Sequence, residues 1–92
     1  MADDGAQYLL LYEYVSDMAE RREPHRAAHL EVLEAEREAG YVPVAGAFDP
    51  PTGAAIVFRG VDRPHVEAYV AGDPYMTAGL ITSWRVEHWN AR

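Results

Sequence analysis

No cysteine occurs anywhere in the 92 residues, which excludes disulfides, thiolate zinc sites and cysteine nucleophiles. Lysine is equally absent. The eight cationic side chains are all arginine and stand against 15 aspartates and glutamates, for a net charge of −7. A chain this acidic offers no basic stripe to follow a phosphate backbone, so neither nucleic acid nor an anionic membrane surface is expected as a partner. Apolar runs stay strand-sized and are too short to span a bilayer. The opening Met1-Ala2-Asp3-Asp4-Gly5 is acidic and lacks the basic and apolar segments of a secretory signal, so a cytoplasmic protein is expected. Glycine-rich nucleotide fingerprints, a P-loop and flavin-binding patterns are also missing, and no nucleotide or other cofactor is expected.

What is present reads as a small globular unit. Hydrophobic residues make up 49% and charged residues 25%, the balance of a folded domain rather than a disordered one. Residues 1–6 read as a tail and 7–92 as a single domain. A domain of this size buries only about two-thirds of the surface that its unfolded chain exposes, so a partner subunit would add stability.

Residues 7–15, Gln-Tyr-Leu-Leu-Leu-Tyr-Glu-Tyr-Val, are rich in aromatic and aliphatic side chains on both alternating faces and predict a strand covered on both sides. Pro24 suits the first turn of a helix, and Gly40 suits the position just past its end. At about 100° per residue, Ala28, Val32, Leu33, Ala35 and Ala39 fall on one side of that helix and Glu31, Glu34, Arg37 and Glu38 on the other. A second strand is expected over 41–48, with Pro43 placing it at an edge or a bulge, then a rigid turn over 49–53 and a third strand over 54–59. Asp62 nucleates a second helix that runs to Gly72, Asp73-Pro74 opens a short helical turn, and a last strand spans 81–89. The order βαββαβ is an α+β split unit with both helices on one face of a four-stranded antiparallel sheet. Large apolar residues on the other face would then be bare, and two copies packed sheet to sheet would cover them, which predicts a two-fold homodimer.

Arg26-Ala27-Ala28-His29-Leu30, then Gly40 and Gly46, then Asp73-Pro74-Tyr75 with Ala78-Gly79-Leu80, and finally Val86-Glu87-His88-Trp89, resemble the YCII-related (YciI-like) family from Tyr8 onward. The resemblance implies ferredoxin-like protomers paired into a dimeric α+β barrel, related to muconolactone isomerases and small cofactorless monooxygenases. It also implies an active-site pair of His and Asp, matching His29 and Asp73 here, and a chemistry that includes dehydrohalogenation of a chlorinated hydroxylated ring. Where relatives carry Gly-Pro after the second strand this chain has Gly46-Ala47, so the wall shaped by that loop differs.

His29 lies inside the apolar stripe of the first helix, between Val32 and Leu33. An imidazole there either satisfies a structural hydrogen bond or holds a proton for chemistry, because histidine ordinarily titrates near neutrality. Asp73 is equally well explained as the cap before Pro74 and as the carboxylate that orients His29; the two roles are compatible. His25 and His29 at i, i+4 could share a metal with Asp73 or Glu36, although any two helical positions at that spacing share a face, and no metal site is expected. Glu36 is expected to snorkel or to pair with Arg37 or Arg85, and His65 to be exposed. Arg26, Tyr8, Tyr75 and Trp84 are expected around the substrate, the aromatics as apolar walls. The expected activity is proton transfer by a His29–Asp73 dyad, of isomerase or lyase type, on a compact cyclic carbonyl or hydroxyl compound. The alternative is a non-catalytic dimeric binding or accessory module, in which both ring nitrogens of His29 are engaged and no hollow adjoins it.

Overall fold

A computed structural model of the chain describes residues 7–91, so the tail expected over 1–6 lies outside the described residues. The elements are β1 (Gln7–Tyr14), α1 (Met18–Arg21), α2 (Glu23–Glu38), β2 (Val44–Ala47), β3 (Gly53–Arg59), α3 (Arg63–Gly72), α4 (Pro74–Thr77) and β4 (Ile81–Trp89). The strands form one antiparallel sheet in the order β2-β3-β1-β4, an α+β fold.

Local chemistry sets the boundaries. Pro24 sits in the first turn of α2, where its missing N–H is not needed. At the other end Gly40 takes φ +87°, its N–H reaches the Arg37 carbonyl and the Tyr41 N–H reaches that of Glu36. Gly79 closes α4 in the same way, at φ +76°, with bonds from Gly79 to Met76 and from Leu80 to Tyr75. Both are left-handed caps that only glycine takes without strain. Asp62 caps α3 by accepting the His65 N–H at 3.1 Å.

One segment departs from the sequence expectation. The second strand covers only Val44–Ala47. Tyr41 still accepts the Arg59 N–H at 2.8 Å, but Pro43 has no N–H to carry the ladder between them. Residues 16–23, polar and without apolar periodicity, contain the single turn α1, which buries Met18.

The core lies between the sheet and the helices and is built from Leu10, Tyr12, Tyr14, Ile56, Phe58, Val66, Tyr69, Val70, Leu80 and Val86. Contrary to the stripe expected for it, α2 buries a single residue fully, and that residue is His29. Val32 and Leu33 are half-buried, while Ala28, Ala35 and Ala39 are exposed. Ala28, Ala35 and Ala39 do not line the hollow described below, to which α2 contributes Arg26, His29, Leu30 and Leu33. Among the described residues no helix is long and apolar enough to cross a membrane.

Candidate functional site

Asp73 ends α3 and caps α4, and it is fully buried. Three donors converge on its carboxylate. Oδ1 lies 2.9 Å from the Tyr75 N–H and 2.8 Å from His29 Nδ1, and Oδ2 accepts the Tyr12 hydroxyl at 2.9 Å. An ionised carboxylate only accepts, so the proton between the two side chains rides on His29 Nδ1 and the lone pair of the neutral ring is on Nε2. Nε2 has no partner among the described residues.

The imidazole is held in plane as well as by its edge. Tyr75 stacks on it with ring centroids 3.9 Å apart and planes 6° from parallel, and Tyr14 meets Tyr75 edge-on at 5.9 Å. Burial, followed by the nearby charge of Asp73, pushes the phenols of Tyr12, Tyr14 and Tyr69 well above the ordinary tyrosine range. Burial moves Tyr75 the same way, against the opposing pull of Arg22 and Arg26. These hydroxyls stay protonated at any working pH and act as donors or walls, not as bases.

A cavity of ≈ 190 Å³ opens beside His29. Its floor is Ala45, Gly46 and Ala47 of β2 with Ala54 and Ile56 of β3; its roof is Arg22, Arg26, Leu30 and Leu33; Tyr14 and Tyr75 close its sides. The hollow follows from the register. Ala47 lies opposite Ala54, so small side chains meet where larger ones would otherwise fill the space under α2.

Of the residues singled out from sequence, His29, Asp73, Tyr75 and Arg26 come together here. Gly46 and Ala47 form part of the floor, as the departure from Gly-Pro anticipates. Tyr8 and Trp84 are not brought to the cavity. Tyr8 faces the same side of β1 but lies six residues from Tyr14, about 20 Å along an extended strand, and packs against His88 with ring centroids 5.1 Å apart. Trp84 sits on edge strand β4, across β1 from the floor, and lines a separate hollow with Leu11, Phe48 and Arg85. Sequence reasoning did not assign Tyr14 or Arg22 to the site, nor Tyr12 as a partner of Asp73. Alternation puts all four even-numbered residues of β1 on one face, and only the sheet register tells which of them reach Asp73.

A second pair corrects two further expectations. His65 is half-buried, and its Nε2 lies 2.8 Å from Glu36 Oε1, so Glu36 pairs with neither Arg37 nor Arg85. The reason is that α2 and α3 run antiparallel past one another. His29 and Glu36 are seven residues apart on one face of α2, and His65 and Asp73 are eight apart along α3 and its cap, so both pairs bridge the same two elements. Among the described residues no three His, Asp or Glu side chains converge as metal ligands, and His25 does not line the cavity.

The model of the YCII-related domain matches residues 6–90 of the chain. Among curated proteins nothing matches. A similar solved structure is 5-chloro-2-hydroxyhydroquinone dehydrochlorinase (TftG) from Burkholderia phenoliruptrix AC1100 in complex with 2,5-dihydroxybenzoquinone; it is 25% identical, with a TM-score of 0.78, over 90% of this chain and 92% of that one.

Proposed function

This chain belongs to the YCII-related domain family, and on that footing we propose that it is a small cofactor-independent enzyme in which His29 moves a proton and Asp73 holds it in register. The observation that carries this reading is a buried imidazole bonded at Nδ1 to a carboxylate 2.8 Å away, with its other nitrogen unpartnered among the described residues and a cavity beside the ring. Nε2 takes a proton from a carbon or hydroxyl next to a carbonyl, and Asp73 stabilises the imidazolium that results. From carbon, the electron pair left behind forms an enolate; from a hydroxyl on an unsaturated ring it forms an oxyanion that delocalises the same charge onto a ring carbon. Reprotonation at another carbon completes an isomerisation; expulsion of a leaving group from the neighbouring carbon completes an elimination. The dehydrochlorinase activity of the similar protein supports the lyase branch and a compact, cyclic, hydroxylated substrate.

A homodimer is part of the same proposal. Leu9 and Leu11 of β1 pair with Val57 and Ala55 of β3, and by alternation they point away from the face that carries Tyr12 and the helices. Val44 and Trp89, both more than two-fifths exposed, flank them. Sheet-to-sheet packing of two copies covers this patch.

The experiment is turnover of a panel of chlorinated hydroxyhydroquinones and small cyclic ketones. Replacing His29 by Ala is expected to remove activity while the dimer stays folded. Asp73→Asn keeps the cap on α4 through Oδ1 but turns an NH2 toward the Tyr12 hydroxyl and carries no charge, so it is expected to cost about 100-fold or more in kcat, with the protein still folded and its melting temperature lowered by a few degrees. Wild-type turnover in either variant overturns the dyad. A chain that binds members of the panel and converts none is the accessory module instead.

A further inference from the structure

Seven arginines lie among the described residues, and four of them are neutralised locally: Arg21 by Asp17, Arg37 by Glu34, Arg63 by Glu67 and Arg85 by Glu87. Arg22 and Arg26 have no acidic partner within ion-pair distance among the described residues, and both line the cavity that holds His29. In a chain with a net charge of −7 this is not for want of carboxylates.

Their position makes the arrangement costly for the helix. Arg22 is the residue that precedes α2 and Arg26 lies four residues on, so two like charges share one face. Both also sit at the positive end of the helix dipole, where acidic side chains stabilise and basic ones do not. Arg22 Nε is buried with no hydrogen-bond partner among the described residues, an unmet donor. The charges reach into the site, because both arginines pull the Tyr75 phenol downward and Arg22 does the same to Tyr14. Glu23 also lies near Tyr75, but it forms no ion pair with either arginine.

We propose that Arg22 and Arg26 form the anion-recognition end of this cavity and that its ligand is a compact, planar carboxylate. The edge of a guanidinium formed by Nε and one Nη matches the two oxygens of a carboxylate, and a turn of the Arg22 side chain brings that edge, now idle, onto them. An empty apolar cavity of about 150 Å³ accepts a benzene, so ≈ 190 Å³ accommodates one ring with a small substituent. The ring lies over the alanine floor between Tyr14 and Tyr75. Arg26 precedes His29 by about one helical turn, which sets the carboxylate at the mouth and the far side of the ring toward Nε2. The direction in which the ligand lies rests on the reading of His29 as the base; the recognition of charge does not.

The test is calorimetric titration with benzoate and with benzamide, its neutral counterpart of the same shape. Benzoate is expected to bind at least about tenfold more tightly than benzamide and to weaken with added salt. Arg22→Gln and Arg26→Gln are each expected to weaken benzoate by about tenfold and leave benzamide unchanged. Arg59→Gln, an exposed position on β3 away from the cavity, controls for net charge and is expected to change neither. Equal affinity for the two probes, binding of neither, or full benzoate affinity in Arg22→Gln overturns the inference. His29→Ala separates it from the catalytic reading. Arginine-dependent benzoate binding in a protein whose turnover survives His29→Ala sinks only the dyad, whereas loss of turnover with no preference for benzoate sinks only the anion site.

Discussion

The rings of His29 and Tyr75 lie face to face, 3.9 Å between centroids and 6° from parallel, while the Tyr75 backbone N–H donates to the same Asp73 oxygen that holds the imidazole. One residue therefore fixes both the plane of the imidazole and the carboxylate bonded to it. That coupling follows from Asp73 capping α4, because a cap bonds the N–H two residues on.

Tyr75→Leu separates these two contributions. The backbone bond to Asp73 remains and the stack is lost. An aromatic stack contributes about 0.5–1.5 kcal/mol, so kcat is expected to fall about three- to tenfold. Steady-state kinetics check this; a raised KM with kcat unchanged would assign the ring to the pocket wall.

Tyr12→Phe probes the far oxygen of the same carboxylate. The 2.9 Å bond to Oδ2 disappears while the ring keeps its place in the core. A buried carboxylate oxygen left without its donor costs about 1–3 kcal/mol, read as a lower urea midpoint at an unchanged slope. Because Asp73 is then held by one edge only, activity is expected to fall as well. Unchanged stability would mean that water replaces the hydroxyl.

Much of this architecture is legible in the chain, and what is not has identifiable causes. Pro24, Gly40, Asp62 and the Asp73-Pro74 pair mark helix ends through chemistry internal to a few residues, so they can be read without the fold. His29 attracts notice as a polar group in an apolar stripe, and Asp73 as a cap. The tyrosines are different: Tyr8, Tyr12 and Tyr14 share a face, and only the pairing of β1 with β3 and β4 decides that Tyr12 meets Asp73, Tyr14 meets Tyr75 and Tyr8 meets His88. The partnership of His65 with Glu36 depends on the antiparallel approach of α2 and α3. Arg22 was hidden for a related reason, since its isolation from carboxylates is a property of space and not of spacing.

Raised phenol pKa values have a consequence for stability at high pH. Tyr12, Tyr14, Tyr69 and Tyr75 are all shifted up, burial being the largest cause in each. The unfolded chain ionises its tyrosines near pH 10, whereas the folded one keeps these four protonated. Their contribution is thus fully present below about pH 10 and is lost as pH rises above it. Absorbance at 295 nm is expected to show these four tyrosines ionising together with the loss of near-ultraviolet circular dichroism. Independent titration near pH 10 in a protein that remains folded would contradict the burial of that cluster.

Filling the hollow separates the site from the scaffold. Ala54 is buried on β3, opposite Ala47 and Tyr12, and it forms part of the cavity floor. In Ala54→Leu three added carbons point into existing empty space, so the usual penalty for overpacking a core, about 1–3 kcal/mol, is largely avoided. New apolar contacts with Leu33 and Ile56 offset what remains. The melting temperature is expected to stay within a few degrees or to rise, as cavity-filling changes commonly do. Ring-sized ligands no longer fit, so turnover and ligand binding are expected to be lost together while the His29–Asp73 bond stays intact, visible as an unchanged low-field Nδ1 proton resonance. If Ala54→Leu unfolds the protein, the floor is already packed; if it binds and turns over as before, the chemistry lies elsewhere on the molecule.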